Sequence, residues 1–228
     1  MIHLTSEEFQ NKVSNGLAKE IVQELRTTGF AQVPNFLSQE TIRSAEQYIE
    51  DESKRRNELN FSLREKELKD SIVAKLAHDP PASQLMDEIS HQMGFKTHKE
   101  KYYARMRAKL GYEPSVDELD FHFDGSFLTY TIPIVVPKKE DGGGLLIYPK
   151  ARKFSMNPWH NRLTRRYYAS SLFGGKKLEH SKKVQEIFYE PNSLFIFEGF
   201  TTLHATGRMN ENAKRIVVLI HSGDIKLK

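Results

Sequence analysis

The chain has 228 residues, 38% of them apolar and 28% charged, with a formal net charge of +4, which suits one domain with a sizeable buried core. It contains no cysteine, so disulfides and thiolate-bound metal centres are excluded, and any metal is held by His, Asp, Glu or water. No stretch approaches the ~20 apolar residues that span a bilayer, and residues 1–8 lack the basic and apolar regions of a secretion signal. A cytoplasmic protein with no membrane partner is expected. Basic residues cluster at Lys54-Arg55-Arg56 and within 99–109, 162–166 and 176–183. No nucleic-acid-binding module accompanies them, so they read as solvated surface or as charge for an anionic small molecule, and nucleic acid is not the expected partner.

The first part of the chain is patterned for helices. Ser6 is a candidate N-cap, and Phe9, Val13, Leu17, Ile21, Val22 and Leu25 follow at helical spacing up to Gly29. Residues 30–37 form a short extended piece, and Ser38 then caps a second helix carrying Ile42, Ala45 and Ile49 on one stripe. Residues 51–70 are charged and poorly patterned, fitting a helix continuation or a surface segment equally. A further helical stretch is broken at Pro80-Pro81, its second part running from about Ser83 to Gly94.

From about residue 99 the pattern changes to short strands: 102–110, 119–123, 127–136, 144–148, 184–189, 193–197, 203–207 and 215–221. Turn signals such as Asp141-Gly142-Gly143-Gly144 and Glu190-Pro191-Asn192 separate them. Pro133 requires a bulge or an edge position for its strand. Eight short strands behind a helical section predict a mostly β fold, a jelly roll braced by helices, in one domain over 1–228: helical support to 98, β core from 99.

Phe121-His122-Phe123-Asp124-Gly125 is the first chemically informative segment. On a strand, residues i and i+2 share a face, so His122 and Asp124 can reach one ion. A third ligand is available at His204, on another predicted strand. Two imidazoles and one carboxylate on one face of an octahedron leave positions open for other ligands, the arrangement of non-haem Fe(II) sites. Arg215 opens the apolar strand Arg215-Ile216-Val217-Val218-Leu219-Ile220. A guanidinium buried there needs an anion, and a carboxylate fits its fork best.

"FHFDGSFLTYTIPIVVP" at 121–137, the Gly-Gly strand at 142–149 and "FEGFTTLHATGRMNENAKR" at 197–215 together resemble the Fe(II)/2-oxoglutarate-dependent dioxygenase superfamily. The resemblance covers roughly residues 100–224. The stretch 29–37 with its Ser-capped helix is similar to the N-terminal section of phytanoyl-CoA-hydroxylase-like and prolyl-hydroxylase-like members. The Phe-His-Phe-Asp form of the motif is similar to small members acting on free amino acids or related metabolites. The resemblance implies a double-stranded β-helix (cupin-like) in which His122, Asp124 and His204 hold catalytic Fe(II). It implies 2-oxoglutarate as cosubstrate alongside O2, with Arg215 on its distal carboxylate and ascorbate supporting activity. Many relatives carry a hydroxyl two residues after that arginine. Here the position is Val217, so the second contact is sought at Tyr103, Thr129 or Thr131. A carboxylate at 124, where related halogenases carry a small residue, favours hydroxylation or desaturation over halogenation.

Arg105 and Arg107 share one face of the strand at 102–110 and are candidates for a substrate carboxylate or phosphate, or else exposed basic residues. Trp159 lies in 157–175, which reads either as a lid over a polar substrate or as a surface helix. The other histidines (His3, His78, His91, His98, His160, His180 and His221) read as structural or exposed, His221 being the one expected to be buried. Hydroxylation of a small polar metabolite is the leading expectation. A hydroxylase of a protein side chain or nucleic acid, and a cupin-like binding protein without turnover, are the alternatives.

Overall fold

A computed structural model of the protein describes residues 4–64, 66–68, 71–94, 102–111, 119–153, 159, 163–164 and 178–224. Three helices begin at serines with extended backbones, each accepting a hydrogen bond from the N–H three residues on. These are Ser6 before α1 (Glu7–Ser14), Ser38 before α3 (Gln39–Arg56) and Ser71 before α4 (Ile72–Leu76). The helix expected to run unbroken from Ser6 is in fact two. Gly16, at φ 90°, ends α1 and starts α2 (Leu17–Thr28), because only glycine takes that left-handed backbone without strain. Helix α5 (Pro80–Gln92) opens on its two prolines, whose missing N–H groups fall where a helix leaves N–H groups unsatisfied anyway.

Among the described residues, nine strands form two antiparallel sheets. They are β1 (Phe30–Val33), β2 (Asn60–Arg64), β3 (Tyr102–Lys109), β4 (Ser126–Val135), β5 (Leu145–Tyr148), β6 (Gln185–Ile187), β7 (Leu194–Phe197), β8 (Leu203–Thr206) and β9 (Arg215–Asp224). The larger sheet has the order β1-β7-β4-β9-β3-β2 and the smaller β6-β5-β8. The ambiguous charged segment therefore resolves into the end of α3 followed by β2. The section before residue 99 thus contributes both edge strands of the larger sheet besides its helices. Pro133 sits in a strand flanked on both sides, and the register shift between Pro133 and Val135 is the bulge that accommodates it. The strand expected at 119–123 does not form. Leu119 adopts φ 59°, and only His122 makes an isolated bridge, to His204.

Period-two alternation gives the larger sheet two different faces. Outward, Leu63, Met106, Leu128, Tyr130, Ile132, Val218 and Ile220 pack with Phe9, Ile21, Leu25, Leu85 and Ile89 of the helices into the main core. Inward, Phe195, Phe197 and Val217 meet Leu145 and Ile147 of the smaller sheet. The space between the sheets, beside that inner cluster, holds the polar site.

Candidate metal centre

His122 and His204 are joined by a reciprocal pair of backbone hydrogen bonds, 2.9 and 3.0 Å, which brings their rings to 4.4 Å between centroids. Asp124 follows in a loop rather than on a strand, tied by its N–H to the Gly199 carbonyl at 3.0 Å. The three residues expected from the sequence are brought together, but not by the strand geometry expected of them. The three converge through a bridge and a loop instead of through strand alternation. His204 Nε2 lies 3.6 Å and His122 Nε2 3.8 Å from the two Asp124 oxygens, and one ligand atom from each residue falls within 4.8 Å of the others. These gaps are too long for hydrogen bonds and suit three donors around a common ion.

The proton positions agree. His122 Nδ1 lies 2.8 Å from the Asp120 carbonyl and His204 Nδ1 3.2 Å from that of Thr202. A carbonyl only accepts, so each Nδ1 carries the hydrogen and each Nε2 lone pair points at the shared centre. Burial holds the His204 imidazole neutral, its pKa lowered to about 4. Burial alone would raise the Asp124 carboxyl, but His204, His221, the Thr129 hydroxyl and His122 more than offset it and keep it below its ordinary range. Two imidazole nitrogens and a carboxylate form a donor set for a borderline divalent cation.

Two supporting residues were not foreseen. The His221 ring is buried behind Asp124, with Nδ1 3.9 Å from Oδ2 and 2.9 Å from Ser126 Oγ. Its parity with Arg215 along β9 was the available signal. A Cβ at Gly199 would lie 2.8 Å from Asp124 Cβ and 2.9 Å from its Oδ2, so only glycine lets this loop close on the carboxylate. Thr129, sought as a cosubstrate contact, donates its hydroxyl to Asp124 Oδ2.

A cavity of about 310 Å³ opens from the three ligands and reaches Arg215. There Arg215 Nη1 donates to Thr206 Oγ1 at 2.9 Å and its guanidinium lies over the Tyr189 ring at 5.7 Å. Arg215 Nε is buried with no hydrogen-bond partner, an orphaned donor that a carboxylate oxygen would satisfy. Burial raises the Tyr189 hydroxyl's pKa against the opposing influence of Arg215 and Thr131, so it keeps its proton. Tyr189 and Thr206 are further residues that the sequence reading missed. Arg105, Arg107 and Thr131 line the same cavity. Tyr103 pairs with His221 through the backbone; its side chain lies outside the described set. Trp159 is 70% exposed and is not among the described residues that line the cavity. Of the rest of 157–175, only 163 and 164 are described.

No family model matches the sequence, and no curated protein matches it. Solved structures do. HygX from Streptomyces hygroscopicus, with nickel and 2-oxoglutarate bound, has a TM-score of 0.60 at 11% identity, over 90% of this chain and 86% of that one. A Pseudomonas putida prolyl-4-hydroxylase has 0.57 at 12%, over 90% and 98%. A 2OG-Fe(II) oxygenase family oxidoreductase from Burkholderia pseudomallei has 0.57 at 11%, over 91% and 90%. Likeness across nearly the whole of each chain at such low identity is likeness of fold. The two facing sheets of this protein are the double-stranded β-helix of the 2-oxoglutarate–Fe(II) oxygenases.

Proposed function

We propose that this chain is an Fe(II)- and 2-oxoglutarate-dependent oxygenase that hydroxylates a small polar metabolite, an amino acid or a derivative of one. The observation that carries the reading is the placement of two Nε2 lone pairs and a carboxylate around one point, in the same cavity as a buried guanidinium with an unpaired donor. His122, Asp124 and His204 would hold Fe(II), which with 2-oxoglutarate and O2 supplies oxidative decarboxylation to succinate and CO2 coupled to oxidation of a substrate C–H bond. Arg215, braced by Thr206, receives the distal carboxylate, and Tyr189 and Thr131 complete that end. Thr129 and His221 orient Asp124. Because Asp124 occupies one ligand position, the reading is hydroxylation or desaturation, not halogenation.

Cavity size supports a small substrate. About 310 Å³ is at the lower end of the range for ligand pockets, ~300–1,000 Å³, and it must hold the cosubstrate as well. No helix among the described residues is long and apolar enough to cross a membrane. A reducing compartment such as the cytoplasm suits both a ferrous centre and a chain without cysteine.

The test is succinate release from 2-oxoglutarate under Fe(II), ascorbate and O2, alone and with amino acids, proline-containing peptides or oligonucleotides. Basal release that a free amino acid stimulates is the expected result. Stimulation only by peptides or oligonucleotides would transfer the reading to a macromolecular hydroxylase. Absence of any succinate would leave a binding protein of the same fold.

A further inference from the structure

Arg152, outside the ligand set, touches the supports of all three ligands. The turn 198–202 joins β7 to β8, and the Glu198 carbonyl closes it, accepting from Thr201 and Thr202 N–H at 3.3 and 3.0 Å. Thr201 Oγ1 adds a hydrogen bond to Glu198 Oε2 at 2.8 Å. Two ligands lean on this turn: the Gly199 carbonyl holds the Asp124 N–H, and the Thr202 carbonyl faces His204 Nδ1. Arg152 is fastened to the same turn twice. Its backbone N–H donates to the Thr201 carbonyl at 3.2 Å, and its Nε donates to the Phe200 carbonyl at 2.7 Å.

The guanidinium then reaches the remaining ligand segment. Its carbon lies 4.2 Å from the Phe200 ring centroid and 4.0 Å from that of Phe123. Phe123 stands between His122 and Asp124 in the chain and lines the metal cavity. Restraining its ring restrains the peptide units leading to both neighbours, in a segment that forms no strand of its own. Nη1 donates to Thr164 Oγ1 at 3.3 Å, which further fixes the plane of the guanidinium. Arginine suits this place because a planar cation can lie on an aromatic face while donating hydrogen bonds in its own plane. A lysine ammonium has the charge without the plane.

We propose that Arg152 is a positioning residue of the metal centre. It holds Phe123 against the 198–202 turn and so sets the spacing of His122, Asp124 and His204. The proposal rests on the metal-binding reading given above and adds to it a residue that touches no ligand atom. Residues that orient ligands raise affinity because the donors need not be ordered when the ion arrives.

The test uses the full chain and three measurements: Ni(II) affinity by competition with a chelator, visible absorption of the Co(II)-loaded protein, and urea unfolding of the metal-free protein. Arg152→Gln should weaken Ni(II) about tenfold, the low end of the cost of losing support around a ligand, and should shift the Co(II) bands. Arg152→Lys should fall between that variant and wild type. Phe123→Leu should match Arg152→Gln, and the double variant should be no worse than either single one, since both remove the same contact. The proposal is overturned if the variants lose only unfolding midpoint while the folded protein binds Ni(II) as tightly, with unchanged Co(II) bands. Additive losses in the double variant would overturn it too. Should Arg152→Gln not fold, Arg152→Lys and Phe123→Leu decide by the same affinity and absorption readings. A wild type that binds neither metal sinks the metal-centre reading itself.

Discussion

The two faces of the six-stranded sheet come from the same strands and are opposite in chemistry. Along β9, Ile216, Val218 and Ile220 enter the core under the helices, while Arg215, Val217, Leu219 and His221 face the cavity. Along β4, Leu128, Tyr130 and Ile132 go outward and Thr129 and Thr131 inward. The outer face is stabilised by removing apolar area from water. The inner face holds the unpaired Arg215 Nε and the buried Asp124 carboxylate, which oppose stability until a ligand satisfies them. Stability and chemistry are thereby separated by one residue of register.

Substitutions can break that separation, and their effects should rank accordingly. Asp124→Ala is expected to abolish Ni(II) binding and succinate release together, since it removes the charged donor of the set, while the unfolding midpoint in urea holds or rises. Leu128→Ala, on the outer face, should do the reverse. It costs about 2–5 kcal/mol of stability, read from urea unfolding, and leaves the metal affinity of the folded protein unchanged. Gly199→Ala strikes where the loop closes on Asp124 and should weaken metal binding by roughly 10–100-fold, the usual cost of losing support around a ligand, measured by competition with a chelator. Tyr189→Phe removes one hydroxyl beside Arg215 and should weaken 2-oxoglutarate about fivefold, the equivalent of ~1 kcal/mol, with metal affinity intact.

The smallest effect lies off the sheet altogether. Glu52 on α3 is held below its ordinary value of 4.5, first by the Arg55 guanidinium and then by Arg56, against a smaller opposing effect of burial. Its folded pKa is depressed, so its contribution is complete above the unfolded value and is lost as pH falls from about 4.5 through the folded value. With its first partner, Arg55, mostly exposed, this amounts to under about 1 kcal/mol. Wild type and Glu52→Gln should therefore converge in Tm below pH 4 and separate slightly at pH 7.

The His122, Asp124 and His204 cluster was legible as a candidate because chemistry restricts residue type: with cysteine absent, few side chains can ligate a metal. Most strands and the serine caps at Ser6 and Ser38 were legible because alternation and capping are local. His122 and Asp124 were read as neighbours on a strand, and they converge with His204 by another route. The bridge between His122 and His204 and the Asp124–Gly199 contact join distant segments that no local pattern registers. Thr206 and Tyr189 escaped notice for the same reason, being defined by their distance from Arg215 rather than by spacing.

By itself the amino-acid sequence determined the inventory: which groups can ligate, which strands have an apolar face, and where the helices start. Only the tertiary structure decided which of the nine histidines stand together, which hydroxyl serves Asp124 and which serves Arg215. Ligation geometry and electrostatics depend on separations of a few ångströms between residues far apart in the chain, and those separations are set when the sheets close on one another.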